Sequence, residues 1–154
     1  MLADIATRIA STSFATWAAE SSWAYPAANV VHLLGLVLLL GGIGLVDLRL
    51  IGAFRRLPLN ALAHALTPLA LLGLGLLTAS GATMFAADTA VAANETFRTK
   101  LLLVGLALAN AAAFRFRFRD GTPEPTPAAA RLIGAASLLA WLAVAYCGRM
   151  IAYS

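Results

Sequence analysis

The side chains best suited to chemistry in this sequence are two histidines, His32 and His64, one cysteine, Cys147, and the methionines Met84 and Met150, with Arg149 beside them. Imidazole with thioether or thiolate is a ligand set for haem iron, as His/Met, or for copper(I). His32 and His64 lie on successive apolar segments, a pattern that raises the question of a haem held by both. Folding those segments as an antiparallel pair about Leu57 and Pro58 leaves the two rings roughly 25–30 Å apart in depth, too far for one iron. The same folding sets Met84 level with His32 and brings Cys147, Arg149 and Met150 to a similar height. His32 is therefore the expected cofactor or metal ligand, with Met84, Cys147, Met150 or, less directly, His64 as candidate metal ligands. Arg149 is suited to pairing with a haem propionate. Gly35, one turn from His32, would let a flat macrocycle approach the backbone.

Each of these residues also has a plain structural reading. A neutral histidine near a helix end is satisfied by a carbonyl or by interfacial water, and the methionines serve as core or lipid-facing side chains. Cys147 reads equally as a small buried hydrophobe, and Gly35, Gly41, Gly42 and Gly44 as helix-packing positions. Asp47 and Arg49, two residues apart, do not share a helical face, so each needs its own partner. Asp47 is expected to accept from the His64 ring or from an arginine of a later segment, with a structural ion pair the favoured reading. No nucleophile–base pair or phosphate-binding glycine loop is present, so a lone catalyst is not expected.

The elements that must position these groups are long apolar segments. Residues 30–46 contain no charge and one ionisable side chain, His32. About 20 helical residues cross the hydrocarbon core of a bilayer, so this segment is long enough to span. On a helical wheel His32, Gly35, Leu39, Gly42, Val46 and Arg49 fall on one face. The pattern predicts four spanning helices at about 27–54, 60–85, 97–115 and 128–151. Asn60 is the expected cap of the second. Pro68 shares a face of that helix with His64 and removes the donor to its carbonyl. The FRFRFRD run at 114–120 is an interfacial anchor, and GTPEPTP at 121–127 a stiff stop. Residues 1–25 form an interfacial segment, with Leu2, Ile5 and Ile9 on one side of a short helix and Trp17, Trp23 and Tyr25 at the headgroup level. Residues 26–154 form the transmembrane domain.

Composition agrees with that division. Of 154 residues, 61% are hydrophobic and 12% charged, and the mean hydropathy is +0.84. A soluble domain carries about 25% charge, so the fold class is all-α, an integral membrane four-helix bundle with an N-terminal interfacial amphipathic helix. The net charge of +4 comes from basic residues at the ends of apolar segments, which are topology signals, so nucleic acid is not an expected partner. The lipid bilayer is. A single cysteine excludes an intrachain disulfide. A cleavable signal peptide is not expected, because Asp4 precedes any basic residue. Arg49, Arg55, Arg56, Arg115, Arg117, Arg119 and Arg131 gather on one side, against Arg8, Arg98, Lys100 and Arg149 on the other. The positive-inside rule puts the first group in the cytoplasm. Both termini are then periplasmic if the membrane is a bacterial inner membrane.

HLLGLVLLLGG followed by DLRLIG, NETFRTK opening the third segment and GRMIAY closing the fourth resemble a family of small bacterial four-helix membrane proteins. That family is related in pattern to the membrane domain of the copper-resistance D proteins. The resemblance covers residues 23–153 and gives weight to His32, Asp47, Arg49, Asn94, Lys100 and Arg149 as positions matching the pattern. It implies either copper handling or, through the similar architecture of four-helix b-type cytochromes, haem binding and electron transfer. The several paired transmembrane histidines of dihaem cytochromes are missing, which argues against a relay across the membrane. Three functional expectations follow. The first is a haem b protein, or a haem-bearing anchor subunit of a redox complex, with His32 as axial ligand near the outer surface. The second is copper binding or import, and the third a cofactor-free structural subunit. A homo-oligomer or a place in a larger membrane complex is expected in each.

Overall fold

The computed structural model describes residues 2–153. Its elements are α1 (Leu2–Ala10), α2 (Ser13–Glu20), α3 (Ala24–Ile51), α4 (Leu59–Ala87), a 3-10 turn (Thr89–Ala93), α5 (Glu95–Arg117), α6 (Ala128–Met150) and a closing 3-10 turn (Ile151–Tyr153). No strand occurs among the described residues. The chain is an all-α integral membrane four-helix bundle, and α3 to α6 are each long and apolar enough to cross a bilayer. The first span begins and ends three residues earlier than the sequence pattern suggests, because Trp23 takes the capping position and Gly52, in the left-handed region at φ 119°, stops the helix. That conformation is open to glycine without strain.

Around the bundle the order is α4, α3, α6, α5. Phe85 and Phe97, stacked with centroids 5.6 Å apart, close the ring between α4 and α5. Leu39, Ala70, Ala107, Trp141 and Val144 form the central core, one or more from each helix. The predicted face of α3 is the buried one: Gly35, Leu39, Gly42, Val46 and Arg49 are all buried and His32 is half-buried. On α4 the face bearing His64, Pro68, Leu71, Gly75 and Thr78 is exposed and looks away from the bundle. In a bilayer apolar side chains gain little by leaving lipid, so helix association relies on close packing at small residues. The α3–α4 seam is of that kind. A Cβ at Gly42 would lie 3.0 Å from Leu66 O and from Ala70 Cβ, and one at Gly35 would lie 2.8 Å from Gly73 O.

At the end holding the 52–58 turn and the 118–127 linker, here called the arginine end, Phe114 and Phe118 pack against the cluster of Val46, Leu50, Leu59 and Ala130. The alternating FRFRFRD run is helical through Arg117 and then turns: Phe114 and Phe118 face inward, while Phe116 is 81% exposed. Asn60 does not cap α4. Pro58 occupies that position, and the Asn60 amide instead clasps the Thr122 peptide, accepting from its N–H at 3.0 Å and donating to its carbonyl at 3.3 Å. A primary amide matches a peptide group donor for acceptor, and that pairing takes the side chain away from its own helix end. At the opposite end, the terminal end, Ala15 and Ala18 of α2 pack on Ala86 of α4. Thr12 caps α2 by accepting from Ala15 N–H. Residues 2–20 therefore supply two short helices joined at Ser11 and Thr12.

Candidate functional site

Near the terminal end each of the four long helices brings one or two small or polar residues to a common level. His32 comes from α3, Ser80 and Gly81 from α4, Lys100 from α5, Cys147 and Gly148 from α6. The His32 ring rests on Gly81, where an added Cβ would lie 3.4 Å from Cε1 and 3.8 Å from Nδ1. Nδ1 is 2.9 Å from Ser80 Oγ. Ser80 has a single hydroxyl hydrogen, and at 2.5 Å from Leu76 O it donates there. Its oxygen therefore accepts, which fixes the hydrogen of His32 on Nδ1 and leaves the Nε2 lone pair free. The Nδ1–Cε1 edge faces α4.

Lys100 lies in the second turn of α5 and is half-buried. Its ammonium sits over Gly148, where an added Cβ would be 3.4 Å from Nζ. Its charge acts on both His32 and Cys147. No carboxylate pairs with it among the described residues, where ion pairs join Arg49 to Glu124 and Arg119 to Asp120. An ionisable group at membrane depth without a counter-charge is costly, and is a functional candidate for that reason.

Against this geometry the sequence-based site divides. His32 and Cys147 come to one level, with Lys100 interacting with each. Gly35 does not open a slot for a macrocycle: Gly73 O and Leu77 close on it at 2.8 and 3.0 Å from an added Cβ. The helix-packing reading of Gly35 is the one observed, because two glycines facing each other let the backbones touch. Met84 is half-buried but lies about one turn beyond His32, since the register set by Gly42 with Ala70 and Gly35 with Gly73 puts Ser80 and Gly81 at the His32 level. Arg149 is exposed and turns to its own helix end, with its Nη2 donating to Tyr153 OH and its guanidinium 4.9 Å from the Tyr153 ring. Met150 is half-buried at the last position of α6, and His64 is on the exposed face of α4, remote from the site. Among the described residues no group of three or more His, Cys, Asp and Glu is placed to hold a metal ion.

Asp47 and Arg49 also separate. Arg49, with only 5% of its side chain exposed, is 2.8 Å from Glu124 and donates from Nε to Leu57 O at 2.7 Å. Asp47 pairs with neither His64 nor an arginine. The Ser137 hydroxyl of α6 is its polar neighbour, and its Oδ2 has no hydrogen-bond partner. Ser80, Gly81, Gly148 and Glu124 were not singled out by sequence reasoning. The one available signal was that Ser80–Gly81 and Cys147–Gly148 both put a small residue beside a polar one inside an apolar segment.

A family model covers residues 8–154. The chain belongs to DUF6644, a family of unknown function. No curated protein and no solved structure matches it. The site thus rests on its own geometry: an oriented imidazole, an uncompensated ammonium and a thiol at one level of a DUF6644 bundle. Beside it lies an apolar groove of about 260 Å³ between the outer turns of α3 and α4, bounded by Trp17 and Trp23 and floored by Ala24, Ala28, Ala79 and Ser80.

Proposed function

We propose that this protein is a haem b-binding membrane protein, or the haem-bearing anchor subunit of a redox complex, with His32 Nε2 as an axial ligand near the terminal end of the bundle. The observation that carries the reading is the tether from His32 Nδ1 to Ser80. Histidines that ligate a metal almost always give their other ring N–H to a fixed acceptor, which sets the tautomer and aims the lone pair. Lys100 adds a cation with no acid of its own, a partner for a carboxylate such as a propionate. These donors fit the group chemically. The groove of about 260 Å³ is below the roughly 300–1,000 Å³ of an enclosed ligand pocket. Neither His32 nor Lys100 lines that groove, so a macrocycle would rest on the flank of the bundle beside the half-buried His32, and a second copy or a partner subunit would complete the site. When bound, the iron supplies one-electron transfer, and the chain supplies a fixed imidazole, a counter-charge and an apolar wall.

The copper alternative has less support, because an ammonium acting on both the imidazole and the thiol opposes a cation there. The location proposed is a bacterial inner membrane with both termini periplasmic, argued from the distribution of arginines. The test is an absorption spectrum of the purified protein, oxidised and then reduced with dithionite. A Soret band lost in His32→Ala, and weakened in retention by Lys100→Met, is expected. A wild-type sample without porphyrin, or a band indifferent to His32→Ala, refutes the reading, and copper found by metal analysis in its place supports the alternative.

A further inference from the structure

The arginine end holds a second cavity, of about 340 Å³, lined by Arg49, Arg55, Arg56, Leu57, Asn60 and Glu124. Glu124 is the single acid among these residues, and it is spent on the buried Arg49 guanidinium at 2.8 Å. Arg55 uses Nε on Gly52 O at 3.1 Å, which leaves the outer nitrogens of its fork unengaged. Arg56 makes no hydrogen bond or ion pair among the described residues. Two exposed guanidinium groups thus line a concave space with no remaining carboxylate to neutralise them. Leu57 lines this space, and Phe54 belongs to the same turn, its carbonyl accepting from Leu57 N–H at 2.9 Å. Phe54 and Leu57 are 55% and 46% exposed, and Phe54 is held out by a left-handed backbone at φ 51°, a conformation uncommon outside glycine.

A planar guanidinium recognises phosphate through two parallel hydrogen bonds. The cavity lies where two apolar spans meet their connecting turn, the depth at which lipid headgroups sit. We infer that it binds the phosphate of an anionic phospholipid, held by Arg55 and Arg56, with Phe54 and Leu57 against the first carbons of the acyl chains. That apolar pair favours a lipid over free phosphate, which has nothing to lay against Phe54. A headgroup without an amine is favoured over a zwitterionic one because the free cations have no acid to share. This inference is independent of the haem proposal.

Native mass spectrometry of the whole protein released from phosphatidylcholine nanodiscs, with and without phosphatidylglycerol, tests it. Two cations at a membrane surface predict a preference of about thirtyfold for the anionic lipid. The preference is expected to vanish in the double variant Arg55→Gln, Arg56→Gln. It should persist in Arg115→Gln, Arg119→Gln, which removes the same charge from the same end outside the cavity. Circular dichroism matching wild type in both variants establishes that the comparison is between folded bundles. Equal loss in the two variants means general surface charge, and no loss in the first means another site; either overturns the inference. Displacement of the lipid by millimolar inorganic phosphate assigns the site to a free anion and overturns it as well.

Discussion

Gly73→Ala tests the packing on which the terminal-end site depends. The added Cβ would stand 2.6 Å from Leu39 N, 2.7 Å from Gly35 O and 2.9 Å from Leu38 Cβ. Two of those neighbours are backbone atoms and have no rotamer to adopt, so α3 and α4 must part by about 1 Å to reach ordinary contact near 3.5–4.0 Å. Overpacking of this kind costs about 1–3 kcal/mol, and with rigid neighbours the upper half of that range applies. Alanine's better helix propensity returns up to about 1 kcal/mol, leaving a net loss of about 1–2 kcal/mol. Gly75, two residues along the same helix, has nothing within 4 Å of an added Cβ. Gly75→Ala therefore carries the propensity gain alone, about 0.5–1 kcal/mol in the stabilising direction. Thermal unfolding in detergent, followed by circular dichroism, should put the two variants on opposite sides of wild type. The same separation would stretch the 2.9 Å contact between His32 and Ser80. A Gly73→Ala protein as stable as wild type, or two variants shifting in the same direction, refutes the claim that this seam holds the hairpin.

Two further substitutions examine individual contacts. Ser80→Ala takes the acceptor from His32 Nδ1 at a buried position; it should cost about 1 kcal/mol and release the tautomer, read as a change in the imidazole ¹⁵N shifts, whereas unchanged shifts contradict the assigned tether. Glu124→Gln leaves the Arg49 guanidinium, 5% exposed, without its counter-charge. Because the glutamate is itself 56% exposed, the loss is expected at about 1 kcal/mol, below that of a fully buried pair, and Arg131→Gln on the exposed surface should change nothing.

The bundle was legible because its signals are local and periodic. Spans long enough to cross a bilayer and the stripe from His32 to Arg49 each depend on neighbours along one helix, whereas the inward turn of Phe114 and Phe118, in a run read as an interfacial anchor, depends on α3, α4 and α6. The site depends on what stands across from a residue, and there a shift of one turn decides everything. Counting back from the Leu57–Pro58 turn put Met84 opposite His32; the glycine contacts set the register so that Ser80 and Gly81 stand there instead. Nothing near Asn60 in sequence announces Thr122, sixty-two residues away, and nothing near Arg49 announces Glu124. Asp47 was expected to find the His64 ring or an arginine, but Ser137 of α6 is the polar group beside it. Lys100 was visible as a cation at the opening of the third span; that it lies over Gly148, and acts on His32 from another helix, is a property of the assembled bundle.

The terminal-end site is divided between two hairpins in a way that sets an order of events. His32, Ser80 and Gly81 all belong to the α3–α4 pair, so the imidazole acquires its orientation as soon as that pair has closed. Lys100, Cys147 and Gly148 arrive with α5 and α6, later in synthesis. Until the second pair docks, the nascent chain presents a primed nitrogen with no counter-cation near it, and any acidic guest finds only half of its berth. If the site takes the proposed haem, loading belongs after translation of the last helix, and a ribosome-bound chain stopped before residue 147 would insert yet bind none.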